Sequence, residues 1–278
     1  MRSWTFSCAD FTFPLLPHER ALQLIHLLDV PAVDIGLFSK RSHITPEHLA
    51  NDLHGTIHRV RTALAHAGVD VSDVFLQTGE HPPLSAANTP DPQARAHNRR
   101  MFDLALEFAA GLDCRHVTGL PGVRHADTPA SDDWQRAIDE AAWRTDRAKS
   151  AGLVYAVEAH VGSITPDPVS AQRLLDAVPD LTLTLDYGHF IYAGLSDADV
   201  HPLLPRASHL HVRGGAPGRL QIGMSRNTIN FTDLARRLDQ LGYPGYVCLE
   251  YVWIDWQGCN ESDNVSETLV LKQMMERS

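Results

Sequence analysis

Eight short apolar runs, each followed by a longer amphipathic stretch, occupy the chain from end to end, and this alternation limits the fold more than any other feature. The runs read as strands at 4–8, 31–37, 71–77, 114–118, 152–158, 180–186, 207–213 and 246–252. Helices are predicted at about 17–29, 46–67, 92–111, 131–150, 168–177, 199–204, 230–241 and 264–276. Helix starts carry their signals: Thr45-Pro46-Glu47 offers a cap, a proline in the first turn and an acid. Gly68, Gly111, Gly152 and Gly242 stand where helices should stop. Strict strand–helix alternation means parallel strands joined by crossover helices. Eight units of about 35 residues are the size of a closed (β/α)8 barrel, a TIM barrel. The rival is an open doubly wound sheet, but no Gly-x-Gly-x-x-Gly follows an early strand, so its dinucleotide-binding form has no support. The expectation is one barrel domain over residues 1–278.

Composition narrows the function. With 44% hydrophobic and 21% charged residues, the chain can bury a large core and is not a disordered protein. A formal net charge of -10 argues against a nucleic-acid partner, and no run of about 18 apolar residues points to a membrane span. The first residues lack the apolar core of a secretory signal. Cys8, Cys114, Cys248 and Cys259 are scattered and read as buried thiols in a reducing compartment, so a cytoplasmic location is expected. Only three lysines occur, and of these Lys40 alone follows an apolar run, so Schiff-base chemistry is disfavoured. Histidine, at 16, is abundant.

Catalytic groups of such barrels sit at the C-terminal ends of the strands. Here four consecutive strands end in ligand-type residues: Glu158, Asp186, His211 and Glu250. Period-two alternation aims them inward: Leu181, Leu183 and Leu185 take one face, and Thr182, Thr184 and Asp186 the other. Three carboxylates gathered at an apolar rim repel and must be protonated, paired or neutralised. Arg213 can do part of this. A divalent cation does it better, because it also accepts the neutral imidazole. An oxygen-rich set with one nitrogen suits Mn²⁺ foremost, with Mg²⁺, Co²⁺ or Zn²⁺ as alternatives.

At Val-Glu-Ala-His (157–160), Leu-Asp-Tyr-Gly-His (185–189), His-Leu-His-Val-Arg-Gly (209–214) and Leu-Glu (249–250), the sequence resembles the xylose-isomerase-like TIM-barrel superfamily, in its sugar phosphate isomerase/epimerase branch. The resemblance implies one divalent metal held by Glu158, Asp186, His211 and Glu250. It places His160, His189 and Arg213 against a sugar or keto-polyol substrate. It also implies that Glu158 and Glu250 move protons, through an enediolate that the metal stabilises. Isomerisation, epimerisation and, as in inosose-dehydratase-like relatives, dehydration all branch from that species. Many relatives carry an acid where this chain has Gly214.

Secondary expectations follow from position. Gln77, ending the third strand, would touch a sugar hydroxyl or the ligands' surroundings. Trp4 and Phe6, and Trp253 and Trp256, would either wall a sugar face or pack as ordinary core and rim residues. The 79–92 segment follows the third strand as a long loop that could serve as a lid, and the 218–227 loop would either cover the mouth or lie solvated. His54 and His58 read as surface residues. The remote alternative is an abasic-site endonuclease, which needs further histidines on strands 2–4 and a basic groove. A non-catalytic binding barrel and a homo-oligomer remain compatible with the sequence.

Overall fold

The computed structural model describes residues 2–277. Its eight parallel strands close into one barrel in the order of the chain. They are β1 (Thr5–Ala9), β2 (Ala32–Phe38), β3 (Asp70–Gln77), β4 (His116–Gly119), β5 (Val154–Glu158), β6 (Thr182–Asp186), β7 (Ala207–Val212) and β8 (Tyr246–Leu249). The helices are α1 (His18–Leu27), α2 (Pro46–Ala67), α3 (Pro92–Gly111), α4 (Ala130–Ser150), α5 (Pro168–Ala177), α6 (Tyr187–Tyr192), α7 (Asp197–Val200), α8 (Phe231–Leu241) and α9 (Asn264–Glu276). The closed (β/α)8 barrel is thus the expected fold, with strand and helix limits close to those read from the sequence. Thr45 caps α2 by accepting from the His48 N–H, and Gly68 ends it in the left-handed region at φ 74°.

Two departures matter. The stretch expected as a helix at 199–204 is split between α7 and a 3₁₀ turn (His201–Arg206), because Pro202 and Pro205 supply no N–H for a regular ladder. A short helix, α6, begins directly at β6, with the Asp186 side chain accepting the Gly188 N–H at 2.7 Å. No described helix is long and apolar enough to cross a membrane.

The main core lies between the strands' outer faces and the helices, where Leu183, Leu185, Leu210 and Val212 are buried as the alternation requires. The barrel's inside is polar. Asp73 meets His116 Nδ1 at 2.6 Å, and His116 Nε2 meets the Ser208 hydroxyl, which also meets Thr182. Thr118 and Thr184 share a hydrogen bond across the interior. Asp34, wholly buried on β2, accepts from Ser7 and Ser72 and, at 2.6 Å, from His209 Nε2. Buried polar groups are stable only when paired, and these find partners both on adjacent strands and, as in His116–Ser208, Thr118–Thr184 and Asp34–His209, across the barrel.

Candidate active site at the mouth of the barrel

Glu158 ends β5, Asp186 ends β6, His211 lies near the end of β7, and Glu250 follows β8 directly. All four are buried. His211 Nδ1 stands 2.7 Å from Glu158 Oε1 and 3.4 Å from Glu250 Oε1. One donor atom each from Glu158, His211 and Glu250 lie within 4.8 Å of one another, and Glu158, Asp186 and His189 form a second such set. Glu158 belongs to both. Asp186 is turned from the first set by Arg213, whose guanidinium contacts it at 2.5 Å and Glu250 at 3.2 Å.

The electrostatics are those of crowded acids. Burial raises the Glu158 carboxyl, but the His211 hydrogen bond and nearby imidazoles outweigh this and hold it at about 2. Burial pushes Glu250 up to about 8, with the Glu158 and Asp186 charges adding to the push and His211 and Arg213 opposing it. Burial works against a charged His211, yet the Glu250 charge and the Asp34 and Glu158 contacts raise it well above the usual range. Burial lowers His160 and takes His189 down to about 4, leaving both rings neutral near pH 7.

This donor set fits a divalent cation. Glu250 Oε2 is buried without a hydrogen bond; its 3.2 Å approach to Arg213 is an ion-pair contact only. With Arg213 shared between Asp186 and Glu250, the acids lack enough positive charge to ionise together. Carboxylate oxygens and one imidazole nitrogen are donors for such an ion. The other ring nitrogen, His211 Nε2, faces Asp34 Oδ2 at 3.3 Å, the carboxylate support that metal-binding histidines commonly have.

A cavity of about 840 Å³ opens above these groups. Gln77, His160, His189 and Arg213 all line it. Gln77 donates to the Gly79 carbonyl at 2.7 Å, and His160 Nδ1 contacts the Val161 carbonyl at 2.7 Å. His160 Nε2 is buried without a partner. One wall is aromatic: Phe38 packs edge-on against Phe11 at 4.8 Å and Phe75 at 5.1 Å. Trp253 and Trp256 contribute from the loop after β8, and Pro82 and Pro83 from the long loop after β3.

The structure decides several of the remaining expectations. Trp4 and Phe6 belong to the main core and do not line the cavity; Trp4 Nε1 donates to Asp239. The 218–227 segment does not line the cavity; Gly218, Ser225 and Arg226 are exposed, while Leu220, Gln221, Ile222 and Met224 are buried. Gln221 in it is buried and fastens the loop after β8 by hydrogen bonds to Val252 and Cys259. Lys40 is exposed and ion-paired with Glu80, which leaves it unsuited to Schiff-base chemistry. Gly214 has a steric reason: a Cβ there would meet the Ile222 carbonyl at 2.4 Å and the Tyr251 hydroxyl at 2.8 Å. Asp34, Arg41 and the Phe11–Phe38–Phe75 wall escaped the sequence reading. The one available signal was a carboxylate inside the apolar run Ala32-Val33-Asp34-Ile35.

The profile of the family described as Xylose isomerase-like TIM barrel matches residues 22–273. A 2-oxo-tetronate isomerase of Pectobacterium atrosepticum is 26% identical over 166 residues, covering 55% of this chain and 60% of the relative. The enzyme of that name from Haemophilus influenzae is 27% identical over 171 residues, covering 58% and 64%. The chain therefore spans about three fifths of the length of these curated relatives. Among solved structures, D-psicose 3-epimerase from Clostridium cellulolyticum H10 superposes with a TM-score of 0.75 at 13% identity, over 98% of each chain. A xylose isomerase-like TIM barrel protein from Mycobacterium smegmatis, in complex with magnesium, superposes with a TM-score of 0.73 at 16% identity, over 100% of this chain and 99% of that one. At such identities the superpositions speak for the fold, and the profile match over nearly the whole length speaks for descent: the chain belongs to the xylose isomerase-like TIM barrel family.

Proposed function

We propose that this protein is a divalent-metal-dependent isomerase or epimerase of a sugar or keto-sugar, with Glu158 and Glu250 as its proton-transfer pair. The observation that carries the reading is the meeting of Glu158, His211 and Glu250 donor atoms within 4.8 Å at a large cavity. The names of the similar proteins, isomerases of a keto acid and epimerases of ketoses, point to the same class of reaction.

Glu158, His211 and Glu250 would hold the ion, with Asp186, joined to them through Glu158, completing the set on giving up its Arg213 contact, and the ion when bound supplies Lewis-acid polarisation of the substrate carbonyl. Glu158, kept ionised by its hydrogen bond to His211, takes the proton from the carbon beside that carbonyl. Glu250, across the His211 nitrogen, gives its own proton to the carbon skeleton while Glu158 keeps the one it took, and exchange with solvent restores both. Return to the opposite face of the same carbon gives an epimer; return to the neighbouring carbon moves the carbonyl. His160, its Nδ1 donating to the Val161 carbonyl, leaves Nε2 to accept from a substrate hydroxyl, His189 lines the same cavity, and the Phe11–Phe38–Phe75 wall keeps water from the reacting carbon.

The test is incubation with Mn²⁺ and either 2-oxo-tetronate or neutral ketoses in deuterated water, followed by proton NMR. Deuterium should enter at the carbon that loses its proton, and the product spectrum separates isomer, epimer and dehydrated compound. Glu158→Gln and Glu250→Gln should each lower turnover by about 10²–10⁴-fold with an unchanged fold. Wild-type rates in both variants would remove them from the chemistry.

A further inference from the structure

The cavity has two cations of fixed charge in its lining, Arg213 and Arg41, and they differ in one respect. Arg213 is bound on both sides by Asp186 and Glu250. Arg41, in the turn after β2, has no carboxylate within ion-pair distance among the described residues. Its guanidinium carbon lies 5.4 Å from the centre of the Phe38 ring, and its Nε is buried with no hydrogen-bond partner. Glu80, the acid nearest to it in charge effect, is engaged by Lys40. A buried N–H without an acceptor, as at Arg41 Nε, is a costly arrangement. Burial already pulls its pKa down, the direction expected of a cation that lacks a partner.

We infer that Arg41 receives the carboxylate of an acidic substrate, so that the sugar turned over here is a sugar acid. The inference rests on the isomerase reading and specifies its substrate. The planar fork of one guanidinium matches a carboxylate. A phosphate site ordinarily gathers several cations or a row of backbone N–H groups, and here the cavity's other cation of fixed charge, Arg213, is already spoken for. The neighbouring His81 is exposed.

The experiment compares 2-oxo-tetronate, the neutral four-carbon ketose erythrulose, and erythrulose 4-phosphate, each with the Mn²⁺-loaded wild type, Arg41→Gln and Arg41→Lys. The acid should be the best substrate. Arg41→Gln should cut kcat/KM for the acid by about 10- to 100-fold, mostly through KM, and change the neutral ketose less than about twofold, with Arg41→Lys recovering part of the loss. Preference for the phosphate, or an acid rate indifferent to Arg41→Gln, would overturn the assignment. If none of the three exchanges deuterium, the isomerase reading fails, and calorimetry with unreactive tetronate then decides about Arg41 separately. Tetronate binding that disappears in Arg41→Gln upholds the anion site; binding that persists, or is absent from the wild type, removes it.

Discussion

Replacing Asp34 by Asn tests whether the polar interior of the barrel serves the mouth above it. The carboxylate takes Ser7 and Ser72 on Oδ1, and on Oδ2 it takes His209 at 2.6 Å and faces His211 Nε2 at 3.3 Å. Asparagine keeps one acceptor for the serines but presents an NH₂ to two imidazole N–H groups. A lost hydrogen bond to a charged acceptor is worth about 1.5–3 kcal/mol, so the fold should weaken by about 2–4 kcal/mol. At roughly 2–4 °C per kcal/mol for a chain near this size, melting should fall by about 4–16 °C. The informative quantity is metal affinity. Losing the partner that fixes a metal-binding histidine's orientation commonly weakens binding 10–100-fold, or about 1.4–2.7 kcal/mol. Titration calorimetry with Mn²⁺ would measure it, with melting followed separately in chelator. Asp73→Asn is the control, since Asp73 supports His116 by the same kind of contact but touches none of the proposed ligands. Both variants should melt earlier, and only Asp34→Asn should bind Mn²⁺ more weakly. Affinity within twofold of wild type in Asp34→Asn, beside a comparable loss of stability in both, would show that Asp34 only fills the barrel.

Two further outcomes are expected. Arg213→Met removes the cation between Asp186 and Glu250, so the metal-free protein should lose about 3–5 kcal/mol, and Mn²⁺ should raise its melting temperature by more than it raises that of the wild type; equal shifts would show that ion and arginine do not share those acids. Away from the site, Asp133 is fully buried, and burial alone would raise it. Hydrogen bonds from His125, Thr128 and Arg136 reverse this and hold it well below the usual carboxylate range. A depressed folded-state pKa gives stability that is complete above the unfolded value, about 3.9, and is lost as pH falls below it. Urea midpoints of the wild type should therefore drop below about pH 4 more steeply than those of Asp133→Asn, and parallel curves would refute the assignment.

The outline of the fold was legible because parallel barrels write themselves in one-dimensional signals. Leu181, Leu183 and Leu185 alternate with Thr182, Thr184 and Asp186, and the strand they announce is found at Thr182–Asp186 with the leucines buried outward. The same alternation brought Glu158, His211 and Glu250 to one mouth, since a residue at the end of an inward-phased strand has little choice of direction. What stayed hidden depends on neighbours far apart in the chain. Asp34 contacts His209 across 175 positions, and only the closed barrel brings β2 and β7 together. The Phe11–Phe38–Phe75 wall comes from three different segments, whereas Trp4 and Phe6 had the right chemistry at the wrong end of β1. The end of the 199–204 stretch was misread because apolar spacing outweighed two prolines whose effect on the ladder is local.

The histidines on β7 have a physical reason. Most closed barrels fill their interior with branched apolar side chains, which makes the floor beneath the mouth a low-dielectric slab. Three carboxylates above such a slab would be hard to keep ionised. Here Asp34 below the mouth holds His209 by hydrogen bond and faces His211, and His211 in turn reaches Glu158 and Glu250. The acids of the mouth thus stand on a hydrogen-bonded polar column, with His211 common to both. This arrangement stabilises the ionised form of Glu158 and leaves Glu250, which His211 reaches only at 3.4 Å, as the acid most in need of additional positive charge. The divalent ion and the arginine then answer different demands. Arg213 is built into the fold and sets the acids' charge before anything binds, while an ion that comes and goes can complete that charge only where a carboxylate has been left short of it, which is at Glu250.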